Sequence, residues 1–220
     1  MRSLTDNENI VSCLKELTTE VPLRFVQEYC HYGNLKSYLK KLDREATEMR
    51  ELLLFSLDCA KGMCFLAEMQ CVHRQLSARV VMVDGQKTCK ISELGFSTAV
   101  MDQETYERMN KGTLPIRWMA LESIDECLYT SATDVWSYGI LLWEIFSFGI
   151  NPYRGMNLKD VVSNVQQGYR LPMPNKCPED VYSIMQKCWQ EDPSCRPTFY
   201  DLVELLETSD TSTAGIQRLT

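Results

Sequence analysis

A chain of 220 residues with 45% hydrophobic content is long enough for one large domain or two small ones around a sizeable core. Thirty acidic against 23 basic residues give a formal net charge of -7, a balance that repels a nucleic-acid backbone and an anionic membrane surface alike. The ten cysteines are scattered through apolar stretches, with no C-x-x-C pair and only two histidines in the chain. That pattern argues for buried free thiols in a reducing compartment and against zinc or a disulfide framework. No run of about 18 apolar residues and no charged-then-apolar leader is present, so the expectation is a cytoplasmic chain without a membrane segment.

In chain order, residues 10–14 (IVSCL) and 22–28 (PLRFVQE) read as two short strands joined by the polar turn Thr18-Thr19-Glu20. Helical spacing follows over Leu35 to Leu39 and again over Met49 to Met69, with the solvated connector KKLDREATE between them. Residues 80–83 and 88–91 are apolar and flank Asp84-Gly85, which predicts a small hairpin. Residues 96–114 are polar and aperiodic, a surface segment. From Thr133 to Phe148 the chain is apolar on nearly every face, so a helix buried all round is expected, with Trp136, Trp143 and Trp189 in the core. Three further helices fit 158–167, 179–189 and 198–207, and the polar stretch 208–220 reads as a flexible tail. Two strands without sheet neighbours would leave an unpaired apolar edge.

Five strings occur in one order: HRQLSARVVMV from His73, KISELGFS at 90–97, GTLPIRWMALES at 112–123, DVWSYGILLWEIFSFGINPY at 134–153 and DPSCRPTF at 192–199. Together they resemble the C-terminal lobe of a protein kinase of the tyrosine-specific group, closest in style to receptor tyrosine kinases. PIRWMALES is the string that points to tyrosine specificity, and FVQEYCHYGNLKSYL resembles a receptor-kinase hinge with Gln27 at the gate of the adenine pocket. The resemblance implies an α+β, protein kinase-like fold. On that reading residues 1–30 are a remnant N-lobe of two strands with the hinge, 31–207 a mostly helical C-lobe, and 208–220 the tail.

The resemblance also implies where each catalytic part belongs. Gln75 stands where the family has the Asp that orients the substrate hydroxyl, and a neutral amide is not a useful base. Val80 stands where an Asn ligates metal, and an isopropyl group has no lone pair. Glu93-Leu94-Gly95 replaces Asp-Phe-Gly, so Glu93 keeps a carboxylate but displaces it by about 1 Å, which catalysis tolerates poorly. Glu28, Cys30 and Met82 match adenine-pocket positions, while no Gly-rich loop or Val-Ala-x-Lys strand precedes the string NENIVSCL from Asn7. The structural positions are kept instead. Asp134 matches the residue that holds the catalytic-loop backbone, Glu122 and Arg196 match a buried ion pair, and His73 matches a packed core histidine. Arg74 and Tyr106 match the basic pocket and the activation-segment tyrosine, a pair that phosphorylation would join. Pro115 and Trp118 resemble the tyrosine-substrate platform.

The expectation is therefore a catalytically inactive, tyrosine-kinase-like domain acting as a signalling scaffold or allosteric partner. Its partner would be a protein, an active kinase or a receptor, with no nucleic acid. No cofactor is expected for this chain, Mg-ATP being conditional on a fuller N-lobe upstream. A receptor origin would place the domain on the cytoplasmic face of a membrane. The alternative reading is a truncated receptor tyrosine kinase that binds ATP when complete and transfers phosphate weakly or not at all. A third, a weak kinase built on Glu93, would need an unusual base.

Overall fold

The computed structural model describes residues 7–16, 25–94, 97 and 114–216. Strands β1 (Cys13–Glu16) and β2 (Phe25–Gln27) pair antiparallel, with a register shift between Cys13 and Lys15. The first strand begins three residues later than the apolar pattern indicates. Ile10 is apolar because it is fully buried, bridging in parallel to Ile91 of the hairpin. On either side of it, the Ile91 N–H donates to the Asn9 carbonyl (2.8 Å) and the Val11 N–H to the Ile91 carbonyl (2.9 Å). These rungs couple the strand pair to the body and occupy part of an edge that the sequence leaves open. The turn at 18–20 lies outside the described residues.

A second sheet has the order β3-β4-β5, all antiparallel: β3 (Gly33–Asn34), β4 (Val81–Val83) and β5 (Cys89–Ile91). The β4–β5 hairpin forms where expected. Its turn is closed by the Asp84 carboxylate, which accepts from the N–H groups of Gln86 and Thr88, both at 2.9 Å. β3 is too short for any periodicity to reveal. Asn34 then ends β3 and caps helix α1 (Leu35–Leu39), its side chain accepting from the Ser37 N–H at 2.9 Å.

The body is helical. After α1 and α2 (Met49–Glu68) come α3 (Leu121–Asp125), α4 (Ser131–Phe146), α5 (Leu158–Gln166), α6 (Glu179–Cys188) and α7 (Phe199–Ile216). α2 packs along α7, and α4 packs on α6 and α2, so α4 runs through the centre. Every residue from Thr133 to Phe146 is buried, as an apolar segment with no polar face requires. Position 139 shows how close the contact is. A Cβ there would lie 2.5 Å from Trp189 Nε1 and 2.7 Å from the Cys188 Cβ, so only glycine lets α4 meet α6.

The last helix corrects the expected end at 207 and the flexible stretch from 208: it continues to Ile216. The Thr208 and Ser209 hydroxyls donate to the Leu205 carbonyl at 2.7 and 3.1 Å, which absorbs their polarity within the helix instead of against it. Helix α3 and the short 3-10 turns at Ile116–Trp118 and Pro193–Cys195 are additions that no long-period pattern announces. Among the described residues no helix is long and apolar enough to cross a membrane.

Candidate functional site

The loop from Val72 to Val80 is held from the first turn of α4. Asp134, 1% exposed, accepts from the backbone N–H groups of His73 (2.7 Å) and Arg74 (3.0 Å). Burial pushes its carboxyl up to about 7, opposed by those two N–H groups and by the charge of Arg74. Arg74 itself sits at φ +72, a left-handed conformation that costs a side-chain-bearing residue energy, and its guanidinium lies 5.6 Å over Tyr129. The loop is thus fixed in a strained shape by a carboxylate that has no contact with solvent.

His73 is fully buried in the same knot. Its Nδ1 accepts from the Gln75 N–H (3.2 Å), which sets the tautomer so that Nε2–H donates to the Ser92 carbonyl (2.9 Å). Burial lowers the imidazole to about 4, against the bond to Ser92. Since the unfolded ring titrates near 6.5, the stability His73 contributes is complete above pH 6.5 and is lost as pH falls to 4. Asp134, raised to about 7, acts oppositely over nearly the same window, as does Asp58, raised to about 6 by burial. Imidazole proton shifts followed against pH should show the His73 ring neutral through pH 5. A midpoint above 6 would refute the packed, neutral assignment.

Val80 closes the loop. Its side chain is 5% exposed, its N–H donates to Ser77 O (3.1 Å), and its carbonyl accepts from the N–H (3.0 Å) and hydroxyl (2.6 Å) of Ser92. Gln75 is half-buried on the same loop, and Glu93, one residue beyond Ser92, is exposed at φ +59. His73, Arg74, Val80, Ser92 and Asp134 are therefore brought together. Of these positions Val80 offers no lone pair, Gln75 no charge, and Glu93 a single exposed carboxylate. Among the described residues no three of His, Cys, Asp and Glu cluster to hold a metal ion.

The hinge positions lie beside the three-stranded sheet and on it. Glu28 accepts from the Ser12 N–H (2.6 Å) and pairs with Lys90 (3.1 Å). Burial opposes its charge, yet Ser12 and Lys90 together hold its carboxyl below the usual value. Cys30 is buried, with its thiol pushed up by burial, and its carbonyl accepts from the Gly33 N–H (3.1 Å). Met82 is half-buried on β4, opposite Asn34 and Lys90. Tyr106 and Gly95 lie outside the described residues.

Glu122 on α3 and Arg196 form a bidentate pair at 2.6 and 3.0 Å. All five guanidinium N–H donors are used, the other three on the carbonyls of Gln190, Ala132 and Glu191. A second buried charge pair escaped sequence reasoning. Glu144 of α4, fully buried, accepts from Lys36 Nζ (3.2 Å), the Ala78 N–H (2.9 Å) and Trp118 Nε1–H (2.9 Å). It joins α1, the loop and the Trp118 turn at one carboxylate. The available signal was a lone acid in the otherwise apolar run ILLWEIF.

A loop pinned by a buried aspartate beneath a small antiparallel sheet, on a body threaded by a buried helix, is the architecture of a protein kinase C-lobe. The family model for protein tyrosine and serine/threonine kinase matches residues 1–206, and the chain belongs to that family. Within it the chain falls in the tyrosine-kinase group with receptor-type relatives. A fibroblast growth factor receptor of Hydra vulgaris is 38% identical over 216 residues, covering 94% of this chain and 26% of that protein. Tyrosine kinase receptor Cad96Ca of Drosophila melanogaster is 37% identical over 218 residues, covering 94% and 28%. Ephrin type-A receptor 5 of Rattus norvegicus is 40% identical over 203 residues, covering 92% and 20%. The chain thus spans between a fifth and just over a quarter of the length of these relatives.

Proposed function

We propose that this domain performs no phosphoryl transfer and acts as a signalling module that binds and regulates a protein partner in the cytoplasm or at the cytoplasmic face of a membrane. One observation carries the reading. The Asp134 clamp, the neutral His73 and the Glu144 carboxylate at the Ala78 N–H keep the loop in place, while the loop presents an amide at Gln75 and a buried hydrocarbon at Val80. Phosphoryl transfer depends almost wholly on positioned charge. A loop positioned this firmly without that charge supports a role in shape and surface. Arg74 and Tyr106 would supply a switch, phosphorylation of Tyr106 ordering its segment through Arg74.

A second reading, a receptor kinase fragment that binds nucleotide when complete, is favoured by the hinge, where Glu28 is braced between Ser12 and Lys90 beside the buried Cys30. Radiolabelled Mg-ATP incubated with the purified chain and a tyrosine-containing copolymer should give no transfer above a protein-free blank. Transfer that disappears on Glu93→Ala would overturn the proposal. A parallel thermal melt separates the two readings. A saturable, metal-dependent rise of roughly 5–10 °C at a hundredfold excess of nucleotide over Kd favours retained nucleotide binding, and an unchanged cooperative melt favours the nucleotide-independent module.

A further inference from the structure

Helix α4 has a second end. About 18 Å along its axis from Asp134, by the rise of 1.5 Å per residue, it stops in a Schellman motif: the Phe148 N–H donates to Ile145 O (3.1 Å) and the Gly149 N–H to Glu144 O (2.8 Å). The position held by Phe148 is ordinarily glycine, because φ there is positive. Phe148 adopts φ +58 all the same, at a cost of about 1 kcal/mol or more. Across from it Lys176 is held at φ +65. Two strained residues therefore border one feature, a cavity of about 360 Å³ lined by Arg44, Trp143, Phe146, Phe148, Pro172 and Lys176 among others.

The walls are mixed, with Ser147 and Asn175 among the aromatic and proline side chains. Phe146 is 2% exposed, and Trp143 and Phe148 are each 9% exposed. Trp143 Nε1–H donates to the Pro172 carbonyl (2.9 Å), tying the proline wall to α4. The rim is charged. Lys176 is paired with Glu45 at 2.6 Å, whereas the Arg44 guanidinium rests 5.5 Å over the Phe148 ring and has no carboxylate within ion-pair reach among the described residues. A strained aromatic floor beneath an uncompensated guanidinium is an arrangement that helix termination does not need, since glycine would end the helix at lower cost.

We propose that this cavity is a binding site for a small aromatic carboxylate, its ring against Phe148 and Trp143 and its carboxylate on the N–H edge of Arg44. The guanidinium supplies two parallel donors suited to a planar carboxylate, and the areas that Trp143 and Phe148 leave exposed supply apolar contact for a ring. The volume lies at the lower end of the roughly 300–1,000 Å³ typical of small-molecule sites, which suits a bicyclic acid. The site is remote from the degenerate loop and stands independently of the functional reading above.

The experiment is a calorimetric titration of the whole chain with naphthoate and, separately, with its uncharged amide, while tryptophan emission is followed. Naphthoate is expected to bind at about 1 mM or tighter, the amide at least tenfold more weakly, and Trp143→Phe should remove the emission change. Arg44→Gln, at an exposed position where folding is checked by a cooperative melt, should weaken naphthoate at least tenfold. Lys61→Gln, outside the cavity, should leave it unchanged. Equal binding of acid and amide, or full affinity in the Arg44→Gln variant, overturns the proposal.

Discussion

Glu144→Ala is expected to destabilise the domain by about 4 kcal/mol or more, a large part of the stability an ordinary domain possesses. The carboxylate is fully buried and serves Lys36, the Ala78 N–H and the Trp118 indole N–H together. Removing it leaves an ammonium that is 11% exposed without its counter-charge and two donors without acceptors. Urea denaturation measures the loss. Glu144→Gln keeps the volume and one acceptor, so its cost should be smaller yet still substantial. The double variant Glu144→Gln, Lys36→Met should recover part of that cost by removing the stranded cation. If the double variant is no more stable than the single one, the stranded charge is not what makes Glu144 expensive to lose.

Arg196→Ala should cost about 3–5 kcal/mol by the same logic, because Glu122 is 11% exposed and loses its bidentate partner. Three backbone carbonyls lose their donor too, and Trp136 loses the guanidinium lying 5.1 Å over its ring. Arg196→Lys is the informative comparison. An ammonium cannot place five donors in a fixed plane, so lysine should recover little of the loss. Chemical denaturation of the two variants side by side checks this, and a lysine variant within about 1 kcal/mol of the parent would show that charge suffices without geometry.

Much of this architecture was legible because its signals are long or specific. The 3.6-residue spacing of α2 and the uninterrupted apolar run of α4 predict those helices to within two residues or so. Asp84-Gly85 places the hairpin. Asp134, Glu122 and Arg196 were legible only through the resemblance, since nothing in their local spacing says that one carboxylate holds a loop sixty residues upstream. What stayed hidden depends on contacts between distant segments. Ile10 looks like a strand residue and is a buried bridge to Ile91. β3 is two residues long, and its existence depends on Val83 and Met82 being alongside. Phe148 gives no sign in sequence of its left-handed backbone, and Glu144 is a lone letter until Lys36, Ala78 and Trp118 converge on it. The polar residues after Leu206 suggest an end to the helix, because composition alone cannot show hydroxyls turning back onto their own carbonyls.

The segment around Asn9 binds the strand pair to the body at a point with no slack. A Cβ at Gly62 would fall 2.6 Å from the Asn9 carbonyl oxygen, the acceptor of the Ile91 rung, and 2.9 Å from a side-chain carbon of Ile91 itself. Sequence drift at position 62 is therefore not free. A side chain there requires Asn9, Ile91 or the helix itself to shift, so a substitution at position 62 is expected to loosen the two parts of the fold from one another.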